Sequence, residues 1–110
     1  MDYNKAIIVG RITTKPELVE LKDSKVTNFS VATNHKYKET EKVEFHNITA
    51  FGKLAEIITT YMDKGSEILI EGRLQTNSFE KDGTKQYRTN IIAENIQMGK
   101  RSEKPSDDLF

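Results

Sequence analysis

The chain has no cysteine among its 110 residues, which excludes a disulfide framework and thiol catalysis and removes the usual structural zinc sites. A reducing compartment is compatible with that. His35 and His46 are the only histidines, too few to build a metal centre without cysteine, so neither a metal nor a cofactor is expected. Long apolar runs are missing too. No N-terminal stretch joins positive charge to about seven or more apolar residues, and nothing approaches the roughly 20 needed to span a bilayer. The chain is therefore expected to be soluble, unprocessed and cytoplasmic. Net charge is absent as well: 17 Lys and Arg stand against 17 Asp and Glu, which removes the simplest argument for a nucleic-acid partner. Any basic surface must come from uneven placement, as where Lys36, Lys38 and Lys42 crowd one stretch while Asp107 and Asp108 sit at the far end. A chain of this length makes one small domain with little margin of core, so assembly with copies of itself is a reasonable expectation.

What is present centres on residues 44–72, which read as strand, helix, strand. In the first strand, alternation puts Phe45, Asn47, Thr49 and Phe51 on one face and His46, Ile48 and Ala50 on the other. A core face does not hold Asn and Thr between aromatics unless their polar groups find partners. Flat rings on a wetted sheet make a stacking platform; the plainer alternative buries both Phe under a loop or in a subunit contact. Leu54, Ile57, Ile58 and Tyr61 then recur at helical spacing as one apolar stripe, with Gly52 as a permissive entry and Gly65 as the left-handed stop.

Residues 4–14 read as a strand with Ala6, Ile8 and Ile12 on one face and Ile7 and Val9 on the other, apolar on both sides in its first half. Such a strand is central in its sheet or lies in an interface, so Lys5, Ile7 and Val9 are nominated for self-association. Gly10 fits a bend or the close approach of another backbone. After Pro16 and a turn at residues 22–24 comes a strand over 25–33 with Phe29 in the core. Residues 34–42 read as a charged loop with Tyr37 between Lys36 and Lys38: either a solvated hairpin loop or a finger that closes on a phosphate backbone while the ring meets a base. The strand from Ser66 carries Ile68 and Ile70 at one parity and Arg73, Gln75, Asn77 and Phe79 at the other. Asp82-Gly83 marks a tight hairpin before the last strand, 85–96.

Five strands with a helix between the third and fourth is the order of an OB-fold, a mainly-β Greek-key barrel that binds oligonucleotides or oligosaccharides across one sheet face. The domain is expected over 1–99. Residues 100–110 lack periodicity and read as a disordered tail. No catalytic residue is nominated. A nuclease on this fold needs a carboxylate cluster for metal and a positioned Arg, whereas the acids here alternate with lysines in loops or stand alone on strands. The lysine-rich stretch and the tail argue against a carbohydrate module.

NKAIIVGRI near the start, EFHNITAFGKLAEI in the middle and YMDKGSEILIEGRL after the helix together resemble the bacterial single-stranded DNA-binding proteins, over almost all of residues 4–99. The resemblance implies a homotetramer of OB-folds, nucleoid-associated in the cytoplasm, that protects single strands in replication, recombination and repair. It implies stacking on Phe45 and Phe79, which fall where the family often has Trp, on Phe51, which falls on its Phe, and on Tyr37, near another frequent Trp. Lys53 and Lys64 match family lysines; Arg11, Lys36, Lys38, Arg73 and Arg88 are added as phosphate contacts from strand parity, placement and nearness to the platform. His46 matches a family His associated with subunit assembly. Asp107, Asp108, Leu109 and Phe110 resemble the family's acidic tip, which docks replication and repair proteins, with Leu109 in place of Ile-Pro and a shorter linker. The alternative is an OB-fold accessory of replication restart that acts mainly by docking proteins.

Overall fold

The computed structural model describes residues 1–100; the nominated tip, Asp107 to Phe110, lies outside the described residues. Its elements are β1 (Ala6–Ile12), β2 (Val19–Glu20), β3 (Lys25–Tyr37), β4 (Thr40–Phe51), α1 (Gly52–Tyr61), β5 (Glu67–Lys81) and β6 (Thr84–Met98). The strands run in the order β1-β5-β6-β4-β3-β2, and β1 also pairs with β3 through Arg11↔Ala32 and Ile12↔Val31. That pairing closes a five-stranded OB barrel, with α1 between the third and fourth long strands. The two-residue β2 is an added edge against Val26 and Lys25.

Alternation decides what the barrel encloses. Phe29, Val31, Ile48, Ile68, Ile70 and Ile91 point inward and are at most 4% exposed. β6 keeps this up across a parity change, since the register shifts opposite Glu71/Gly72 and Glu94 is left without a partner. The extra residue lets Ile91 and Ala93 on one side of it, and Ile96 on the other, all meet the same core. At Gly10 a Cβ would run into the Ala32 carbonyl oxygen, the close approach of backbones expected from the sequence. Asn4 extends the β1–β5 edge with its side chain, donating to the Leu74 carbonyl and accepting from the Leu74 N–H, each at 2.9 Å.

Three expectations are corrected here. Residues 34–42 are not a loop: β3 and β4 pair without a break from Val26↔Phe51 to Tyr37↔Thr40, and only Lys38 and Glu39 make the turn, Lys38 at φ 57°. The helix buries Ala55 and Ile58, with Leu54 partly buried against the same core, so the expected stripe holds at Leu54 and Ile58 but not at Tyr61, which is 58% exposed. Gly65 does not end the helix, which stops at Tyr61 with Met62 extended; Gly65, at φ 93°, instead forms a turn and donates to the Ile12 carbonyl at 2.7 Å.

Lys25 donates to Glu56 and ties the start of β3 to α1. The hydrogen bond and then the charge of Lys25 hold the Glu56 carboxyl below its usual range, and Glu56 holds the Lys25 ammonium above its own. This tie is intact at neutral pH and opens as pH falls through the lowered pKa of Glu56. Both side chains are 40% exposed, so it contributes little to stability.

Thr27 is fully buried in the wall of the barrel, and its hydroxyl has no hydrogen-bond partner among the described residues. An unpaired buried hydroxyl forfeits its hydration, so Thr27→Val is expected to raise stability by about 1 kcal/mol in urea denaturation. A loss of similar size would show that the hydroxyl has a partner in solution.

Candidate nucleic-acid interface

The side of β4 away from the core carries Phe45, Asn47, Thr49 and Phe51, as alternation requires. Phe45 is 64% exposed and Phe51 49%, about 20 Å apart along the strand at its usual rise. Thr49 is buried between them and donates to the side-chain oxygen Oδ1 of Asn28 at 2.7 Å, the partner a polar residue in that place needs.

Register carries this face across the sheet. Asn47 pairs with Asn90 on β6, and Asn90 with Gln75 on β5, so Arg88, Gln75, Asn77 and Phe79 share the side of Phe45 and Phe51. Phe79 is 42% exposed, with the Arg88 guanidinium 5.8 Å from its ring centre. Three exposed Phe therefore occupy one continuous outer face. The same face holds an open groove of about 470 Å³, lined by Thr14, Asn28, Ser30, Asn47, Arg88 and Asn90 together with Phe29 and Ile48.

Tyr37 is not brought onto this face. The unbroken register puts it on the opposite side of the β3–β4 ribbon, 65% exposed, with the Lys38 ammonium 5.4 Å from its ring centre. Tyr87, which the sequence reading passed over, is 66% exposed on the opposite side of the β5–β6 ribbon, with the Lys85 ammonium 5.8 Å from its ring centre. It shares the parity of the buried Ile91 but lies beyond the barrel, where that parity faces solvent.

The nominated cations divide. Arg11 lies in one row with Ala32 and Phe45, on their side of the sheet. Arg88 lines the groove. Lys53 is exposed in the first turn of α1, two residues from Phe51. Lys36 is on the side of Phe45 but farther along the ribbon, directly opposite Glu41. Arg73 shares the face and is paired with Glu94 at 3.0 Å. Lys64 sits in the turn after α1, its N–H on the Asp63 carboxylate, and no strand register joins it to the face. No group of three or more Asp, Glu or His placed to hold a metal occurs among the described residues.

The residues nominated for self-association also divide. Ile7 and Val9 project outward from β1, 58% and 54% exposed. From Ala6 to Gly10 the strand pairs only with β5, which leaves its other edge open. His46 points the other way, toward the barrel side, where its Nε2 meets the Thr33 hydroxyl at 2.9 Å.

A model of the single-strand binding protein family matches residues 3–99. A Streptococcus agalactiae serotype V protein named "Single-stranded DNA-binding protein 2" is 41% identical over 100 residues, covering 87% of this chain and 76% of its own. "Single-stranded DNA-binding protein 1" of Chlorobaculum tepidum is 40% identical over 103 residues, covering 86% of this chain and 64% of its own. Among solved structures, a Plasmodium falciparum SSB complex with ssDNA superimposes with a TM-score of 0.84 at 24% identity, over 89% of this chain and 96% of its own. That likeness shows the shared fold.

Proposed function

The chain belongs to the single-strand binding protein family, and from that premise we propose that it binds single-stranded DNA without regard to sequence, across the outer face of β4, β5 and β6. It makes and breaks no bond. The observation that carries this reading is the register that gathers Phe45, Phe51 and Phe79 onto one exposed face, the face that holds the polar groove. Bases stack on those rings because every base has a π-face, and the ring of Tyr37 meets strands that wrap round the β3–β4 ribbon. Arg11, Arg88 and Lys53 track the phosphates beside the rings, with Lys36, Lys38, Lys64 and Arg73 as outlying contacts; Arg73 must leave Glu94 to take part.

We also assign the open edge of β1, with Lys5, Ile7 and Val9, to self-association as a homotetramer, and His46 to the support of that contact. An exposed apolar strand with unpaired backbone groups is a surface a second copy can cover. The work of such a protein is to hold and protect single strands in replication, recombination and repair at the nucleoid in the cytoplasm, while the tip from Asp107 to Phe110 docks the enzymes that act on them.

The test is the salt dependence of binding to a poly-thymidine oligonucleotide. Each phosphate contact contributes about −0.7 to the slope of log K against log salt on a single strand. Three contacts, by Arg11, Arg88 and Lys53, predict a slope of about −2 or steeper. A slope near zero would remove the phosphate contacts from the proposal.

A further inference from the structure

Four polar residues stand in one cross-strand row on the outer face: Ser30↔Asn47 between β3 and β4, Asn47↔Asn90 between β4 and β6, and Asn90↔Gln75 between β6 and β5. Three of them are carboxamides, and none carries a charge. Neighbouring strands lie about 4.8 Å apart, so the row spans roughly 14 Å, and Ser30, Asn47 and Asn90 line the groove. Phe45 and Phe51 flank it along β4, and Phe79 lies farther out on β5.

A purely structural row would spend its amides on one another, or the residues would be chosen for the strand. Neither holds here. Among the described residues the side chains of Asn47 and Asn90 have no hydrogen-bond partner, and Gln75 reaches only Asn77, at 3.5 Å. Asparagine is disfavoured in strands, yet two stand side by side where β4 meets β6.

The four bases share one feature at the edge they use for pairing, where a donor lies beside an acceptor. Thymine offers N3–H beside O4, cytosine N4–H beside N3, adenine N6–H beside N1, and guanine N1–H beside O6. A carboxamide presents the same pair, an N–H beside a carbonyl oxygen, and half a turn about its last torsion reverses the order. It can bond any of the four and favours none. A carboxylate in the same place only accepts, so it disfavours thymine, whose N3–H lies between two carbonyl oxygens, relative to cytosine, whose N4–H stands at the end of its edge; a guanidinium only donates and selects in turn.

We infer that Asn47 and Asn90, at the centre of this row, bond the edges of bases whose faces stack on the neighbouring Phe, and that their flipping amides keep this contact neutral to sequence. The inference rests on the reading of the face as a single-strand platform and adds to it a contact that stacking and phosphate binding do not supply.

The test uses the full chain and two labelled oligonucleotides, one of thymidine and one of N3-methylthymidine. Methylation keeps the ring face and the phosphates and removes the N3–H. The wild-type protein is expected to bind the methylated strand about tenfold more weakly, the worth of one or two net hydrogen bonds. The Asn47→Leu, Asn90→Leu double variant binds the two strands alike. Asn47→Asp, which can only accept, favours oligodeoxycytidine over oligothymidine about tenfold more than the wild type does. Equal tight binding of both thymidine strands by the wild type overturns the base-edge role and leaves the platform standing. Equal discrimination by the Leu variant also overturns it. Binding of neither strand by the wild type overturns the platform reading, and this inference with it.

Discussion

Replacing Phe45 with alanine lowers affinity for a poly-thymidine oligonucleotide by about 1–3 kcal/mol, roughly five- to 150-fold. Phe45 is 64% exposed and shares a row with Ala32 and Arg11, so its ring supports no core that the change could unsettle. The loss falls on binding, not folding. Anisotropy titration of the variant beside the wild type measures it, with thermal melting as the control on the fold. Phe45→Trp gives the strand a larger ring and is expected to tighten binding. Phe51 and Phe79 present less of their rings, 49% and 42% exposed, so their alanine variants lose less. A change at Phe45 under about 0.5 kcal/mol would take it off the platform.

Gly72→Ala is expected to cost about 3 kcal/mol or more of stability, a fall in Tm on the order of 10–20 °C for a domain of this size. A Cβ on Gly72 would overlap the Ile92 carbonyl oxygen and come within 3.2 Å of the Ala93 Cα. Neither atom can give way cheaply. Ile91, Ile92 and Ala93 are all buried, and the register shift beside Gly72 holds β5 and β6 at this spacing. Phe79 and Arg88 lie farther out on the same hairpin, so DNA binding falls along with stability. Gly83→Ala is the contrasting change. A Cβ there meets nothing within 4 Å, and only the positive φ of 77° resists it, at about 1–2 kcal/mol. Equal Tm values for the two variants would show that β5 and β6 separate at Gly72 without cost.

The platform could be read in the sequence because its strand alternates cleanly. Phe45, Asn47, Thr49 and Phe51 face out and Ile48 and Ala50 face in, and one period-2 pattern carries both facts. The Asp82-Gly83 turn was legible for a similar local reason, since φ values of 55° and 77° suit that pair of residues. Residues 34–42 were misread because a ribbon wetted on both sides has no hydrophobic period to display. There the pairing of β3 with β4 was propagated from the barrel. Two apolar patterns overlap in α1, and the packing against β3 and β4 buried Ala55 beside Ile58 and left Tyr61 exposed. The side taken by Tyr37 followed from the register of a ribbon that the sequence reading had as a loop. The carboxamide row left no signal at all in the sequence. Ser30, Asn47, Gln75 and Asn90 are separated by 15 to 28 positions in order, and only pairing across four strands brings them into line.

The most direct test of the central claim is anisotropy of a labelled poly-thymidine oligonucleotide, titrated at two salt concentrations beside a duplex of equal length. Rings on an open sheet face need unpaired bases, so the account predicts tight, salt-sensitive binding to the single strand alone. Equal binding to both, or binding to neither, would contradict it.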